Sequence, residues 1–143
     1  MIDKLAVCLF VLVSCARAPS VSLATIHGQQ GPVRVHVETA DSDTERELGL
    51  MGRTSLAPDN GMVFVFGGDP VTASFWMKDT LIPLSIAFWS ADGTIVAIHD
   101  MDPCPADPCP TFGSPSPYVG ALEVNQGFFS EHGVRVGDRI QLS

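Results

Sequence analysis

The chain of 143 residues carries 16 acidic side chains against 8 lysines and arginines, a formal net charge of −8. That balance argues against nucleic acid as a partner, because no basic cluster is available to neutralise phosphates, and against electrostatic docking on anionic lipid. The length suits one small domain with one core, and nothing in the chain repeats.

The first element is a leader. Lys4 precedes an unbroken apolar run of nine residues, Leu5 to Val13, which stops at Ser14 and Cys15. A bilayer-spanning helix needs ~20 apolar residues, so the run reads as the core of a secretory signal rather than an anchor. Two cleavage readings compete. Ala16-Arg17-Ala18 has the small-x-small pattern of ordinary signal peptidase but would leave Pro19 as the first mature residue. Leu12-Val13-Ser14-Cys15 has the pattern of a bacterial lipobox, in which the cysteine becomes the acylated N-terminus. The expected division is a signal peptide over 1–14 with Cys15 lipidated, a flexible tether over 15–31 and a single β-rich domain over 32–143. Membrane contact is then expected through the acyl chains alone, on the outer side of the cytoplasmic membrane.

The domain reads mostly as strands. "VRVHV", Val33 to Val37, alternates apolar and polar residues as a half-buried strand does. Ser42 and Glu45 have capping-box spacing, which predicts a short helix near 43–51 ended by Gly52. "MVFVF", Met62 to Phe66, is apolar on both faces, as in a central strand, and "SFWM" reads as a further buried strand that leads into Lys78 and Asp79. "IPLSIAFWS" and Thr94 to Met101 flank Asp92-Gly93, a hairpin signal.

In "DPCPADPCP", Cys104 and Cys109 are the even remainder once Cys8 is discarded with the leader and Cys15 is acylated. In an oxidising compartment they are expected to form a disulfide that contributes roughly 2 kcal/mol. A catalytic disulfide is disfavoured, since neither C-x-x-C nor a βαβ pattern is present, and two cysteines make a poor zinc site. "YVGALEV", Tyr118 to Val124, is a strand, "GFFSEHG" a helical turn and "RIQL" the last strand. Short strands punctuated by Gly and Pro predict a mainly β fold, a small antiparallel sandwich or barrel with one or two short helices.

The stretches "ERELGLMGR", "GMVFVF", "FWMKDTLIPLSIAF", "DGTIVAI", "YVGALEVNQG" and "GVRVGDRI" together resemble, in order, the uncharacterised bacterial and archaeal family called domain of unknown function 192. The resemblance implies a mainly β, jelly-roll-like fold with a short helix and brings no activity. Where the family often has Asn and Asp, this chain has Asp79 and Ser85.

Charges among apolar strands mark the candidate site. Glu123 is the only charge in its strand, Lys78 follows Trp76 on one strand face, and Arg53 closes the helix. An unpaired buried charge costs several kcal/mol, so Lys78, Glu123 and Arg53 are expected to pair in a network that holds strand register, with Asp79 and Thr80 bonding a turn before Pro83. The functional reading of the same residues is a cleft formed by Arg53, Trp76, Lys78, Asp79, Tyr118 and Glu123. It would take a polar small molecule, glycan or peptide of the cell envelope. An envelope enzyme acting on a glycan or peptide through Lys78 and Glu123 is the alternative, and a purely structural envelope protein a third reading. No hydrolase elbow, zincin motif or phosphate loop is present, and no cofactor is expected. His27, His36, His99 and His132 lack ligand spacing. His99 with Asp100 and Asp102 reads as a solvated strand end, so no metal is expected either.

Overall fold

The computed structural model describes residues 21–143. The leader, the lipobox and Cys15 lie outside the described residues. The first described element is a strand, β1 (Val21–Gly28), joined by a tight turn to β2 (Gly31–Ala40). Much of the expected tether is therefore part of the sheet. Ala24 and Ile26 are fully buried, and β1 is held between β2 and the last strand, β9 (Arg139–Leu142). With so few core side chains, β1 depends on backbone pairing on both sides, which its own sequence pattern does not announce.

The helix α1 (Asp43–Leu48) starts as expected: the Ser42 hydroxyl accepts from the Glu45 N–H, and the Glu45 carboxylate accepts from the Ser42 N–H. It ends sooner than expected, because Gly49 turns to φ 47° while its N–H still donates to the Glu45 carbonyl. Gly52, expected to end the helix, instead donates its N–H to the Asp79 carbonyl at 2.9 Å, tying the post-helix segment to a distant turn.

Next come β3 (Asn60–Val65), β4 (Phe75–Trp76), β5 (Leu84–Trp89), β6 (Ile95–Met101), β7 (Thr111–Phe112), β8 (Gly120–Asn125) and α2 (Phe128–Glu131) before β9. Seven strands form one sheet in the order β6-β5-β8-β3-β2-β1-β9, antiparallel except for the parallel β2–β3 pair. The sheet curls until its edge strands meet at one end, where Ile95 donates to the Asp138 carbonyl and Ile140 to that of Gly93. The result is a half-barrel, mainly β as predicted.

Both sheet faces are covered. One encloses Ile26, Val35, Val63, Leu122 and Val124 and is closed by Phe128 and Phe129 of α2. The other carries Leu50, Phe64, Met77, Ile86, Phe88 and Tyr118. This double burial explains why all six residues of β5 are buried.

The segment "SFWM" is not a buried strand. Only Phe75 and Trp76 pair, and with the equally short β7, so Trp76 remains 48% exposed. Cys104 and Cys109 form the expected disulfide, with Cα atoms 5.6 Å apart.

Candidate functional site

A cleft of about 360 Å³ opens over the second face of the sheet. Phe64 of β3 and Glu123 of β8 contribute to it from the sheet. One side comes from α1 and the residues after it, including Asp43, Arg46, Glu47 and Leu50; the other comes from Ala73 to Trp76, with Thr80. The period-two alternation of β8 places Leu122 and Val124 in the first core and Ala121 with Glu123 on the opposite face. Pairing sets Glu123 between Met62 of β3 and Ile86 of β5, two apolar neighbours.

Glu123 is 5% exposed, and among the described residues its carboxyl has no ion-pair or hydrogen-bond partner. Its oxygens nevertheless meet the cleft, since no described polar side-chain atom is both sealed from solvent and unpartnered. Burial pushes the Glu123 carboxyl up to about 8, so the folded protein holds it mainly neutral at pH 7.

The expected network of Lys78, Glu123 and Arg53 does not form. Lys78 Nζ lies 3.9 Å from Asp107 Oδ2 on the disulfide loop and 5.3 Å from the centre of the Trp76 ring. Arg53 donates both terminal nitrogens to Glu38 of β2, at 2.9 and 2.6 Å, an arrangement that raises the guanidinium pKa further. The cause is strand order. β4 pairs with β7 and stands away from β8, so Lys78 finds the anion of the loop beside it. The loose Lys78–Asp107 pair is half exposed. Lys78→Met is accordingly expected to change folding stability by no more than about 0.5 kcal/mol and to leave binding in the cleft intact; denaturation and ligand titration of the variant check this.

Asp79 is also structural. It sits at φ 54°, a left-handed conformation that Asp and Asn tolerate better than most residues. Its carbonyl receives the Gly52 N–H, and Thr80 Oγ1 donates to the Lys78 carbonyl at 3.3 Å, so the expected turn before Pro83 is present. Ser85, fully buried, donates to Asp100 and accepts from the Gly127 N–H at 2.9 Å, which joins β5 to the start of α2.

Tyr118 is fully buried and does not line the cleft. Its hydroxyl donates to the Ala73 carbonyl at 2.7 Å, and its backbone bridges Val71, so it supports the Ala73–Trp76 wall from behind. Of the six residues proposed from sequence, Trp76 and Glu123 line the cleft and Tyr118 braces it. Arg53, Lys78 and Asp79 serve elsewhere.

Sequence reasoning missed the α1 side. Arg46 donates to the Asp41 carbonyl (2.7 Å), the Val65 carbonyl (2.6 Å) and Asp43 Oδ1 (2.7 Å), with its guanidinium 5.2 Å from the Phe66 ring centre. The charges of "DTEREL" resemble those of any solvated helix, and nothing in that pattern tells which sheet face the helix overhangs. His99 Nε2 bonds the Gly113 carbonyl at 2.7 Å, and among the described residues no group of three His, Cys, Asp or Glu side chains is placed to hold a metal ion.

A half-barrel with a ligand-sized cleft over an unpartnered carboxyl is thus the class that the fold and the site define. The chain belongs to domain of unknown function 192, an uncharacterised family (Uncharacterized ACR), which it matches over residues 24–142. Two solved structures resemble it closely. A candidate transcription regulator from Sinorhizobium meliloti 1021 is 34% identical, with a TM-score of 0.79 over 87% of this chain and 95% of that one. A protein of unknown function from Novosphingobium aromaticivorans DSM 12444 is 30% identical, with a TM-score of 0.79 over 88% of this chain and 94% of that one. No curated protein matches the chain significantly.

Proposed function

We propose that the protein is a binding module of the bacterial cell envelope, exported and tethered through acylated Cys15, that holds a small polar ligand in the cleft over Glu123. The observation that carries this reading is the bare Glu123 carboxyl, buried at the inner end of an aromatic-walled opening. A carboxyl kept for structure alone acquires partners, because an unpartnered one lowers stability. Here the described residues supply none, and a bound ligand is the group that would. The aromatic side chains of Phe64, Phe66, Phe75 and Trp76 line the cleft around one fixed polar group, a common composition for small-molecule sites. The leader pattern and the Cys104–Cys109 disulfide support an oxidising, extracytoplasmic location.

Glycans and peptides of the envelope are the proposed ligand pool. Catalysis by Lys78 and Glu123 together loses its basis, since Lys78 serves the disulfide loop. A net charge of −8 disfavours a nucleic-acid-binding role like that suggested by the regulator name of the S. meliloti relative.

The test is a titration of the protein with small envelope fragments, both sugars and short peptides, beside the variant Ser74→Trp. Ser74 lies on the exposed wall of the cleft with its Oγ beside Gly113, and an indole in its place is expected to narrow the opening. The wild type is expected to bind a fragment that the variant releases at least tenfold more readily, at unchanged melting temperature. Equal binding by both proteins places the ligand elsewhere and overturns the reading.

A further inference from the structure

We propose that the group recognised in this cleft is an organic ammonium, carried on an apolar or ring-shaped body and seated against the Glu123 carboxyl. The inference rests on the binding reading above and names the ligand's chemistry. It follows from what the cleft offers and what it withholds. Glu123 is buried, lines the cleft and has no partner among the described residues. Asp43 and Glu47 add two further acids from α1. Among the described residues Arg46 is the one cation lining the cleft, and it has already committed its guanidinium to two carbonyls and to Asp43. An anionic ligand therefore meets the acids of α1 and, among the described residues, no uncommitted cation on the lining, whereas a cation meets those acids, the Glu123 carboxyl and the aromatic side chains of Phe64 and Phe75; Arg46 already lies over the Phe66 ring and Lys78 over that of Trp76. Phenyl and indole faces attract ammonium groups through their quadrupoles, and the attraction strengthens as water is excluded.

A neutral hydroxyl would also satisfy Glu123, but the acids on α1 and the aromatic walls favour it over water much less than they favour a cation. Met62 of β3 and Ile86 of β5, the strand neighbours of Glu123, and Phe75 and Trp76 of β4, which line the cleft with it, carry no titratable group, which leaves Asp43, Arg46 and Glu47 on the wall and Lys78 over the Trp76 ring beside Asp107.

Binding then carries a proton signature. With its pKa near 8, Glu123 is mostly protonated at pH 7; an ammonium arriving beside it favours the ionised form, and the proton passes to the buffer. The carboxyl O–H bond breaks, the ligand keeps its own protons, and a carboxylate–ammonium pair remains.

The experiment is isothermal titration at pH 7 in two buffers of different ionisation enthalpy. The probes are 2-phenylethylamine and glucosamine, each beside its N-acetylated, uncharged form. At least one amine is expected to bind roughly tenfold or more tightly than its acetylated form. For 2-phenylethylamine, whose ammonium stays charged at this pH, release of close to one proton per ligand is expected, falling at pH 9. The arm that binds tells an aryl-alkyl amine from an amino sugar. Glu123→Gln keeps the shape of the side chain and removes its acid; it is expected to lose both the preference and the proton release. If Glu123→Gln fails to fold, the comparison of charged and acetylated probes on the wild type still decides. Acetylated probes that bind as well as the amines, with Ser74→Trp blocking them, overturn the ammonium assignment and leave the binding cleft standing. No binding by any probe overturns the ammonium assignment, and only failure of the wider fragment titration as well removes the cleft reading.

Discussion

Glu123→Gln is expected to raise folding stability by roughly 3 kcal/mol at pH 7 and to have almost no effect at pH 4. The ordinary carboxylate pKa of 4.5 rises to about 8 in the folded protein, through burial. Between those values the unfolded chain has released its proton and the folded one retains it. The folded state therefore binds more protons, and stability falls as pH rises across the interval. Below about pH 4.5 both states are protonated and the penalty vanishes; above about pH 8 both are ionised and it reaches its full size. Glutamine keeps the same outline and the same unpartnered polar group, so the difference between the two proteins isolates the ionisation. The measurement is chemical denaturation of both proteins at several pH values from 4 to 9. A stability difference that stays flat over that range would show that Glu123 has a partner, and the site reading would fall with it. A variant that is more stable and no longer binds amines would fit a site where stability is traded for function.

Tyr118→Ala is expected to destabilise the protein by about 3–5 kcal/mol, the range for removing a large buried aromatic side chain. The ring is fully buried, edge-on to Phe66 at 5.6 Å and to Phe88 at 4.7 Å between centroids. Its hydroxyl holds the Ala73 carbonyl at 2.7 Å, and burial raises the phenol to about 12, so it stays a donor across the working pH range. Tyr118→Phe separates the two contributions. It keeps the ring and loses one hydrogen bond, leaving the Ala73 carbonyl unserved, at about 1–2 kcal/mol. Both variants loosen the Ala73–Trp76 wall, so ligand affinity is expected to fall in each although neither side chain touches the ligand. Denaturation together with amine titration checks this. Full affinity in Tyr118→Phe would show that the wall holds without its brace.

Some of this architecture is written locally. The capping box at Ser42 and Glu45 involves residues three apart, and both of its hydrogen bonds are present. The strand at Val33–Val37, the hairpin at Asp92-Gly93 and the cysteine pair likewise depend on near neighbours in the chain. Glu123 stands out in any reading as a lone acid within an apolar strand, and the structure confirms its burial. Its expected partners were wrong for a definite reason. Lys78 and Arg53 are satisfied by Asp107 and Glu38, which are brought beside them by chain crossings that no local pattern encodes.

Alternation and turn chemistry are properties of short stretches, and they already dictated a mainly β domain, a capped helix and a lone acid within an apolar strand. Alternation states which side of a strand a residue occupies and is silent about what stands opposite. That depends on the strand order β6-β5-β8-β3-β2-β1-β9 and on the placement of α1 over one face of the sheet. Packing among residues far apart in the chain set both. In doing so it recruited β1 into the sheet, sent Lys78 to the disulfide loop and left the Glu123 carboxyl facing an aromatic-walled cleft.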